Sequence, residues 1–376
     1  MLSSVVANNL PDLDFLYAPI TEGKLGYLIH HRGHTHTIGV ALAISALWLL
    51  LDRVIQSYRN RVRPLKEQVC LGFVILVGLL THIGLDSLNS YGVRPFWPID
   101  NHWHYGDAVF ILEPWIWAML LPELIFSQVP FLFKGLASGA LVVALGFCWL
   151  AKGVPVSAAL VVTLTTAGLG WAIYRRKSQL RFKALVSLGS AAAVILLFVG
   201  ISNVARSHFY KIHNDEIPQG KLEYVALTPA PANPFCWSLF SLEIEGAGTY
   251  VIRRALLAPF PSWISADRCY RRWSNTSLPL SPVPARDSTA VQWLGEWRIP
   301  LQRMGWYREH NCEFAAFLKF ARFPFLIESA DHIFAGDFRY DRETRAGFAE
   351  MVIPRVPKQC PQWIPGWVPP TDILWK

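Results

Sequence analysis

Residues 69–88 have the sequence VCLGFVILVGLLTHIGLDSL, and this stretch decides the fold. Its length matches the roughly 20 apolar residues that a helix needs to cross a bilayer. It also contains His82 and Asp86, which share one face of a helix because they are four positions apart. Ionisable residues are costly within an apolar span, so this pair indicates either a metal site or a hydrogen bond that only ties helices together.

Five further apolar segments predict membrane helices in the first half of the chain. They cover residues 38–51, 108–126, 131–151, 154–174 and 184–204. Beyond residue 205 the chain is richer in Pro, Trp and Arg and its apolar runs are shorter, which is typical of a soluble domain. The predicted fold class is mainly α, with a polytopic helical membrane domain of about six spans in residues 1–205 and a small α+β soluble domain in residues 206–376.

The second domain shows local patterns but no catalytic constellation. Residue patterns predict a hairpin of two strands, 238–246 and 249–256, joined by a Gly-containing turn, and further strands at 332–340 and 348–353. Apolar residues at helical spacing predict a helix at 314–323. We therefore expect the chemistry to lie in the membrane domain.

Two basic clusters set the expected orientation, because Lys and Arg concentrate in cytoplasmic loops. One cluster lies between the first two spans and the other between the fifth and sixth. Their members are Arg53, Arg59, Arg61, Arg63 and Lys66, and then Arg175, Arg176, Lys177, Arg181 and Lys183. If the first cluster is cytoplasmic, counting spans returns the second to the cytoplasm and places the second domain outside. These loops account for much of the net charge of +8, and no nucleic-acid-binding motif accompanies it, so nucleic acid is not an expected partner.

The cysteines divide by region. Cys70 and Cys148 fall in apolar spans and are expected to be packing residues. The second domain contains an even number, Cys236, Cys269, Cys312 and Cys360, which could form one or two disulfides if that domain is extracytoplasmic. No CxxC spacing occurs, which argues against a Cys-ligated zinc site.

Two further motifs precede the first span. Two carboxylates follow Pro11, and alternating carboxylates in an extended segment can point the same way, although either could instead cap a helix or a turn. The densest run of His in the chain follows at residues 30–36, and its alternative is a solvated His cluster without metal. The predicted ligands of a divalent ion, zinc first and manganese or iron as alternatives, are Asp12, Asp14, His31, His36, His82 and Asp86.

Two other residues are predicted to take part in the chemistry. Arg32 lies within the His run, close enough to steady an anionic substrate or a developing oxyanion. Asp107 could be a further ligand or a general base for a metal-bound water. His102 and His104, near the start of the third predicted span, are expected to be interfacial residues rather than ligands.

Other hydrolytic machinery is not visible in the sequence. No G-x-S-x-G motif lies in a strand-to-helix pattern, and there is no P-loop and no G-x-G-x-x-G after a strand. The remaining mechanism is a metal-activated water that attacks a carbonyl or phosphoryl centre.

These residues resemble those of the YdjM-like family of inner-membrane-associated predicted metal-dependent hydrolases. The matching motifs are Pro11-Asp12-Leu13-Asp14, His31-Arg32-Gly33-x-Thr35-His36, Thr81-His82 with Asp86, residues 89–93, and Tyr105-Gly106-Asp107 leading to Glu113-Pro114. The resemblance implies membrane location, metal dependence and hydrolysis, without a named substrate. Family members usually open with a Thr-His-bearing helix before the Pro-Asp-x-Asp motif, so we expect either that the true start lies upstream or that one ligand and one span are absent.

The expected function is that of a multi-pass hydrolase of the inner membrane acting on an ester or phosphoester. Its expected partners are membrane lipids and a small-molecule or lipid substrate. The alternative is a non-catalytic binding or regulatory protein with a structural or sensing metal site. A transporter is disfavoured because the last three predicted spans contain few polar residues.

Overall fold

The computed structural model describes residues 2–17, 20–176, 179–217, 220–270, 278–341, 347–357 and 359–375, and Lys177 of the second basic cluster lies outside them. The helices are α1 (Leu2–Asn8), α2 (Gly23–His30), α3 (Ile38–Tyr58), α4 (Leu65–Ser87), α5 (Pro114–Phe126), α6 (Phe131–Leu150), α7 (Val156–Arg175), α8 (Leu180–Glu216), α9 (Leu301–His310) and α10 (Cys312–Phe317). The strands are β1 (Gly220–Ala230), β2 (Asn233–Glu245), β3 (Thr249–Leu257), β4 (Val291–Pro300), β5 (Pro324–Glu328), β6 (His332–Asp337) and β7 (Glu350–Pro354). A 3-10 helix, Pro11–Tyr17, lies between α1 and α2.

Five helices, α3, α4, α6, α7 and α8, are long and apolar enough to cross a membrane. They confirm the predicted polytopic helical membrane fold. The last of them, α8, has 37 residues and continues to Glu216. The predicted division after residue 205 therefore falls inside a continuous helix.

The predicted third span, residues 108–126, is wrong in its first part, because α5 has only 13 residues. Ala108 and Val109 instead donate backbone hydrogen bonds to the Leu88 carbonyl, which holds them against the end of α4. The helix begins at Pro114, whose fixed φ suits the first helical position, and the preceding Glu113 side chain accepts from the amide of Trp115. Apolar composition alone does not distinguish such a loop from a helix.

The membrane helices alternate in direction. α5 packs against α6, α7 and α8, and α3 packs against α4. Lys183, near the start of α8, donates to the Phe126 carbonyl at the end of α5. At the other end of the bundle the Trp115 indole donates to the Ala232 carbonyl, and Arg339 donates to the Ser90 carbonyl just after α4. The sheets therefore lie where α5 begins and where α4 and α8 end.

Two antiparallel sheets form the second half, in the orders β1-β2-β3-β4 and β5-β6-β7. The predicted hairpin is confirmed as β2 and β3, which pair in register from Trp237 with Leu257 to Glu245 with Thr249. Its turn uses Gly246 and Gly248, whose φ values of 51° and 109° favour glycine. The helix predicted at 314–323 is observed as the shorter α10, which ends at Phe317. The strands predicted at 332–340 and 348–353 correspond to β6 and β7.

All four cysteines of this half form disulfides, Cys236 with Cys269 and Cys312 with Cys360. Of the two cysteines in the spans, Cys148 is buried as predicted, whereas Cys70 is exposed on the surface of α4. Cys70 is therefore not a packing residue within this chain.

Candidate metal centre

The last turns of α4 supply two of the predicted ligands. His82 and Asp86 lie on one face of the helix, and their Nε2 and Oδ2 atoms are 3.4 Å apart. The short helix α1 packs against α4. It leads directly into the 3-10 helix Pro11–Tyr17, which is thereby placed beside this face.

The 3-10 helix presents its two carboxylates to the two different nitrogens of the His36 ring. Asp12 Oδ1 lies 3.3 Å from His36 Nε2 and 3.5 Å from His82 Nε2. Asp14 is turned away from His82 and is buried, with Oδ1 2.8 Å from His31 Nδ1. A 3-10 helix has three residues per turn, so residues two apart do not share a face. The segment is not extended, so the condition under which the two carboxylates could point the same way is not met.

The segment between α2 and α3 brings His36 to the same place. Arg32 has a φ of 59°, an uncommon backbone conformation for a residue other than glycine, and its amide donates to Asp14 Oδ2 at 2.9 Å. Thr37 then caps α3 by accepting from the Val40 amide. His36, held between these two fixed points, is fully buried.

Four predicted ligands converge in this way on one point. Asp12, His36, His82 and Asp86 each offer one ligand atom, and these atoms all lie within 4.8 Å of one another. His36 Nε2 is 3.3 Å from His82 Nε2 and 3.2 Å from Asp86 Oδ2. Two imidazole nitrogens that face each other at this distance, beside two carboxylate oxygens, form a donor set typical of a divalent metal site.

The spacing of the donor atoms can be compared with that of a tetrahedral site. Ligand atoms about 2.0–2.1 Å from a zinc ion stand about 3.3–3.4 Å from one another at tetrahedral angles. Five of the six separations between the donor atoms of these four residues run from 3.2 to 3.5 Å, and the sixth, between Asp12 and Asp86, is at most 4.8 Å. In addition, Asp86 Oδ2 is buried and has no hydrogen-bond partner among the described residues. The residues present therefore fit a divalent ion.

Asp14 and Thr35 hold the other side of His36. Asp14 Oδ2 lies 3.5 Å from His36 Nδ1, and the Thr35 hydroxyl, which donates to Asp14 Oδ2 at 2.8 Å, lies 3.0 Å from the same nitrogen. A carboxylate behind a ligating imidazole fixes its orientation and raises its basicity. No role was predicted for Thr35 from the sequence, although its position directly before a predicted ligand was the available signal.

The cluster is held together by opposite charges. Burial lowers the pKa of His36, but the neighbouring carboxylates of Asp12, Asp14 and Asp86 outweigh burial and raise that pKa to about 10. Hydrogen bonds from His36 and His82 hold the pKa of Asp12 well below its usual range. Without an ion the carboxylates are thus balanced by protonated imidazole, and metal binding replaces protons.

Arg32 contacts a ligand. Its Nη2 lies 2.9 Å from Asp86 Oδ1, and its Nη1 donates to Asn89 Oδ1 at 3.2 Å. The guanidinium also lies over the Tyr91 ring, at 5.1 Å from the centroid. The side chain is 8% exposed. Its visible role is therefore to orient Asp86, which differs from the expected role of steadying a substrate.

His31 lies beside the four-residue group rather than in it. Its Nδ1 is bound to Asp14, its ring stacks on Tyr27 at 4.9 Å, and its side chain is 14% exposed. Asp14 is likewise outside the group, with its oxygens taken by His31, Thr35 and the Arg32 amide. The structure thus places four of the six predicted ligands together and the other two next to them as a His–Asp pair.

Asp107 forms ion pairs with two arginines outside the four-residue group. The expectation that it is a ligand or a general base is therefore not supported. Its two oxygens accept from Arg322 at 2.6 and 2.7 Å, and Arg206 lies 3.1 Å from Oδ2. All three groups link the membrane helices to the sheets. Because both oxygens already face guanidinium groups, neither is available to a metal or a water. No local signal in the sequence pointed to Arg322.

Replacing Asp107 with Asn should destabilise the protein, because it leaves the buried Arg322 without its counter-charge. Removing one partner of a buried ion pair typically costs about 3–5 kcal/mol. Thermal unfolding of the detergent-solubilised protein measures the effect, and Asp100→Asn, which affects an exposed pair with His102 on the same segment, is the control. An unchanged melting temperature with lost turnover would instead restore the general-base role.

The remaining histidines of the first third lie outside the group. His30 bonds to the Trp363 carbonyl, and His34 packs against Trp97 and Trp367 at 4.7 and 4.5 Å. His102 and His104 both pair with Asp100.

Comparison with known proteins agrees with the resemblance found in the sequence. The model of the YdjM inner membrane protein family matches residues 1–178. This range contains the four converging residues and the His–Asp pair beside them. No curated protein and no solved structure matches the chain.

Proposed function

Because the part of the chain that contains the candidate metal centre matches the YdjM inner membrane protein family, we propose that this protein is a membrane-bound metal-dependent hydrolase. It acts on an ester or phosphoester by means of a metal-activated water. The observation that carries the proposal is the convergence of Asp12, His36, His82 and Asp86 on one point, with Asp12 partly open to the outside. The Asp12 side chain is 46% exposed, whereas that of His36 is fully buried.

Most of the residues of the site would hold the ion, and their exposure indicates where a substrate enters. A divalent ion at this point, zinc by the donor set, would activate a water and polarise a carbonyl or phosphoryl oxygen. His36, His82 and Asp86 form the less exposed side of the site, with side chains 0%, 13% and 18% exposed, and Asp12 marks the side from which a substrate approaches. Arg32 orients Asp86 through its contact with the second carboxylate oxygen, Oδ1.

The His31–Asp14 pair is the proposed proton carrier. Asp14 accepts from Nδ1, which fixes the ring and leaves Nε2 to exchange a proton with a substrate. The ring centroids of His31 and His36 are 5.9 Å apart, so the pair borders the cluster directly. We propose that His31 protonates the leaving group. This role replaces the metal-ligand role expected from the sequence.

The surroundings favour a lipid-like substrate. His82 and Asp86 lie in the last turns of a membrane span, which is the depth of lipid headgroups and ester bonds. Around Asp12 the 3-10 helix exposes Leu13, Phe15 and Leu16, each 46–57% exposed. Exposed apolar side chains at the mouth of a site suit entry from the bilayer better than entry from water.

A second candidate function follows from the same geometry. Four protein donors would fill every position of a tetrahedral ion, and closed sites of this kind are usually structural, whereas catalytic zinc sites keep an open position. A sensing or structural metal site would bind an ion without turnover. Elemental analysis of detergent-purified protein, followed by a screen of phosphoesters and lipid esters with and without chelator, separates the two. Chelator-sensitive turnover supports the hydrolase, and bound metal without turnover on any substrate supports the second candidate.

We also propose that the sheets and the metal centre lie on the extracytoplasmic side of the inner membrane, since two disulfides form readily only in an oxidising compartment. Val62, between α3 and α4, and Val356, after β7, are 93% and 82% exposed. In intact cells a membrane-impermeant maleimide should label Val356→Cys and leave Val62→Cys unlabelled. Permeabilised cells, in which both react, are the control, and the reverse pattern would place the sheets in the cytoplasm.

A further inference from the structure

A polar cavity of about 510 Å³ lies between α8, β1 and the segment that contains Asp107. Its lining includes Asn203, Arg206 and Tyr210 from α8 and Glu223 from β1. It does not include any of the four residues of the candidate metal centre.

The cavity lies at the level of lipid headgroups. A helix rises about 1.5 Å per residue and the hydrocarbon core is about 30 Å thick, so about 20 residues cross it. Counted from Lys183, beside the opposite end of α5, the crossing ends near residue 203. Asn203 and Arg206 therefore lie at the boundary on the side of the sheets, and Leu196 and Val199 continue the same helix face into the apolar region. Leu196 is 70% exposed and so faces the bilayer.

Arg206 provides an incompletely balanced positive charge. Among the described residues, Asp107 is the one carboxylate within ion-pair distance of Arg206, and both oxygens of that carboxylate already accept from Arg322. One carboxylate thus faces two guanidinium groups. The Arg206 side chain is 29% exposed, against 3% for Arg322, so its open side can meet a phosphate.

Glu223 provides a negative charge farther from the membrane. β1 starts just after α8 ends and runs back toward the membrane as far as Ala230. Two residues further on, the Ala232 amide donates to the Glu113 side chain at the start of α5. Arg206 lies at the level of the Val225 carbonyl, so Glu223 is about two residues, or roughly 7 Å, farther out. Its partner Lys221 is 79% exposed, and such a surface ion pair is weak and exchangeable.

We propose that this cavity binds the headgroup of a zwitterionic phospholipid, with the phosphate on Arg206 and the amine on Glu223. The order of charges along the membrane normal is that of a phosphoethanolamine headgroup, in which the phosphate is nearer the acyl chains. The acyl chains lie along Leu196 and Val199. An anionic headgroup without an amine would leave Glu223 facing a second negative group.

The test is lipid retention by the full-length protein. Delipidated protein is reconstituted with vesicles of equal phosphatidylethanolamine and phosphatidylglycerol content, re-extracted in mild detergent, and its bound lipids are quantified by mass spectrometry. The wild type should retain phosphatidylethanolamine in preference. Arg206→Gln should reduce retention of that lipid roughly tenfold, as expected for the loss of one charge-assisted contact. Glu223→Gln should abolish the preference.

The control is Lys211→Gln, which removes an exposed charge from the same helix outside the cavity and should leave retention unchanged. The Arg206→Gln variant is expected to fold, because Asp107 keeps Arg322 as a partner. Thermal unfolding of each variant checks this. Equal retention of both lipids by the wild type, or retention by Arg206→Gln equal to that by Lys211→Gln, would overturn the proposal. Binding of soluble phosphoethanolamine that the vesicle lipid does not displace would overturn the assignment to a lipid.

Discussion

Replacing His82 with Ala is expected to yield a protein without a bound divalent ion and without hydrolytic turnover. His82 Nε2 lies within 3.5 Å of donor atoms from Asp12, His36 and Asp86, so the variant removes one of four converging ligands. The two carboxylates and His36 remain, but an ion would lose a strong nitrogen donor. Metal content per protein, measured by elemental analysis after purification without chelator, is the primary readout, and chelator-sensitive turnover is the second.

The matched control is His102→Ala. His102 lies outside the group and its side chain is 66% exposed. It should keep wild-type metal content and turnover. Because a polar group is removed from α4, size-exclusion behaviour and the melting temperature of His82→Ala must also be compared with those of the control. A folded His82→Ala protein that retains the ion and the activity would show that the convergence has no role in metal binding.

The ligand motifs are the part of the site that the sequence could predict. His82 and Asp86 are fixed by helical periodicity, because a long apolar segment can only be a helix in a bilayer and residues four apart then share a face. Which of Asp12 and Asp14, and which of His31 and His36, contributes to the four-residue group depends on the local backbone conformation. That backbone is a 3-10 helix in one case and a loop with a positive φ at Arg32 in the other. Composition does not specify either conformation, so the six predicted ligands divide into four and two.

Contacts between the two halves of the chain could not be predicted. Asp107 lies in a motif that resembles one of the YdjM-like family and was therefore predicted to take part in the reaction. Its actual partner, Arg322, is 215 positions away. A single sequence contains no information on which distant Arg meets a given Asp. Strands β1 and β4, which flank the predicted hairpin, were also not predicted. For β4 a local signal was present, because Trp297 and Ile299 alternate with charged residues. Apolar runs predicted the membrane helices better, since burial in lipid requires only length and composition.

Replacing His31 with Ala is expected to separate metal binding from turnover. If His31 carries a proton to the leaving group, its loss should lower kcat by about 10²–10⁴, the range typical of general acid–base catalysis. Metal content should be unchanged, because Asp12, His36, His82 and Asp86 remain. Asp14 also keeps its contacts with Thr35 and the Arg32 amide, so His36 stays in position. Steady-state kinetics on the substrate found in the screen, with metal content measured on the same sample, gives both quantities.

Addition of imidazole to the assay distinguishes a proton carrier from a structural residue. Free imidazole can occupy the space left by the side chain and should restore part of the turnover of His31→Ala. The matched control is His332→Ala, which removes the histidine of another His–Asp pair, His332 with Asp331, on β6. That variant should show wild-type turnover with or without imidazole. Loss of the bound ion in His31→Ala would instead return His31 to the ligands, as the sequence alone predicted. Full turnover in that variant would leave the His31–Asp14 pair with no part in the chemistry.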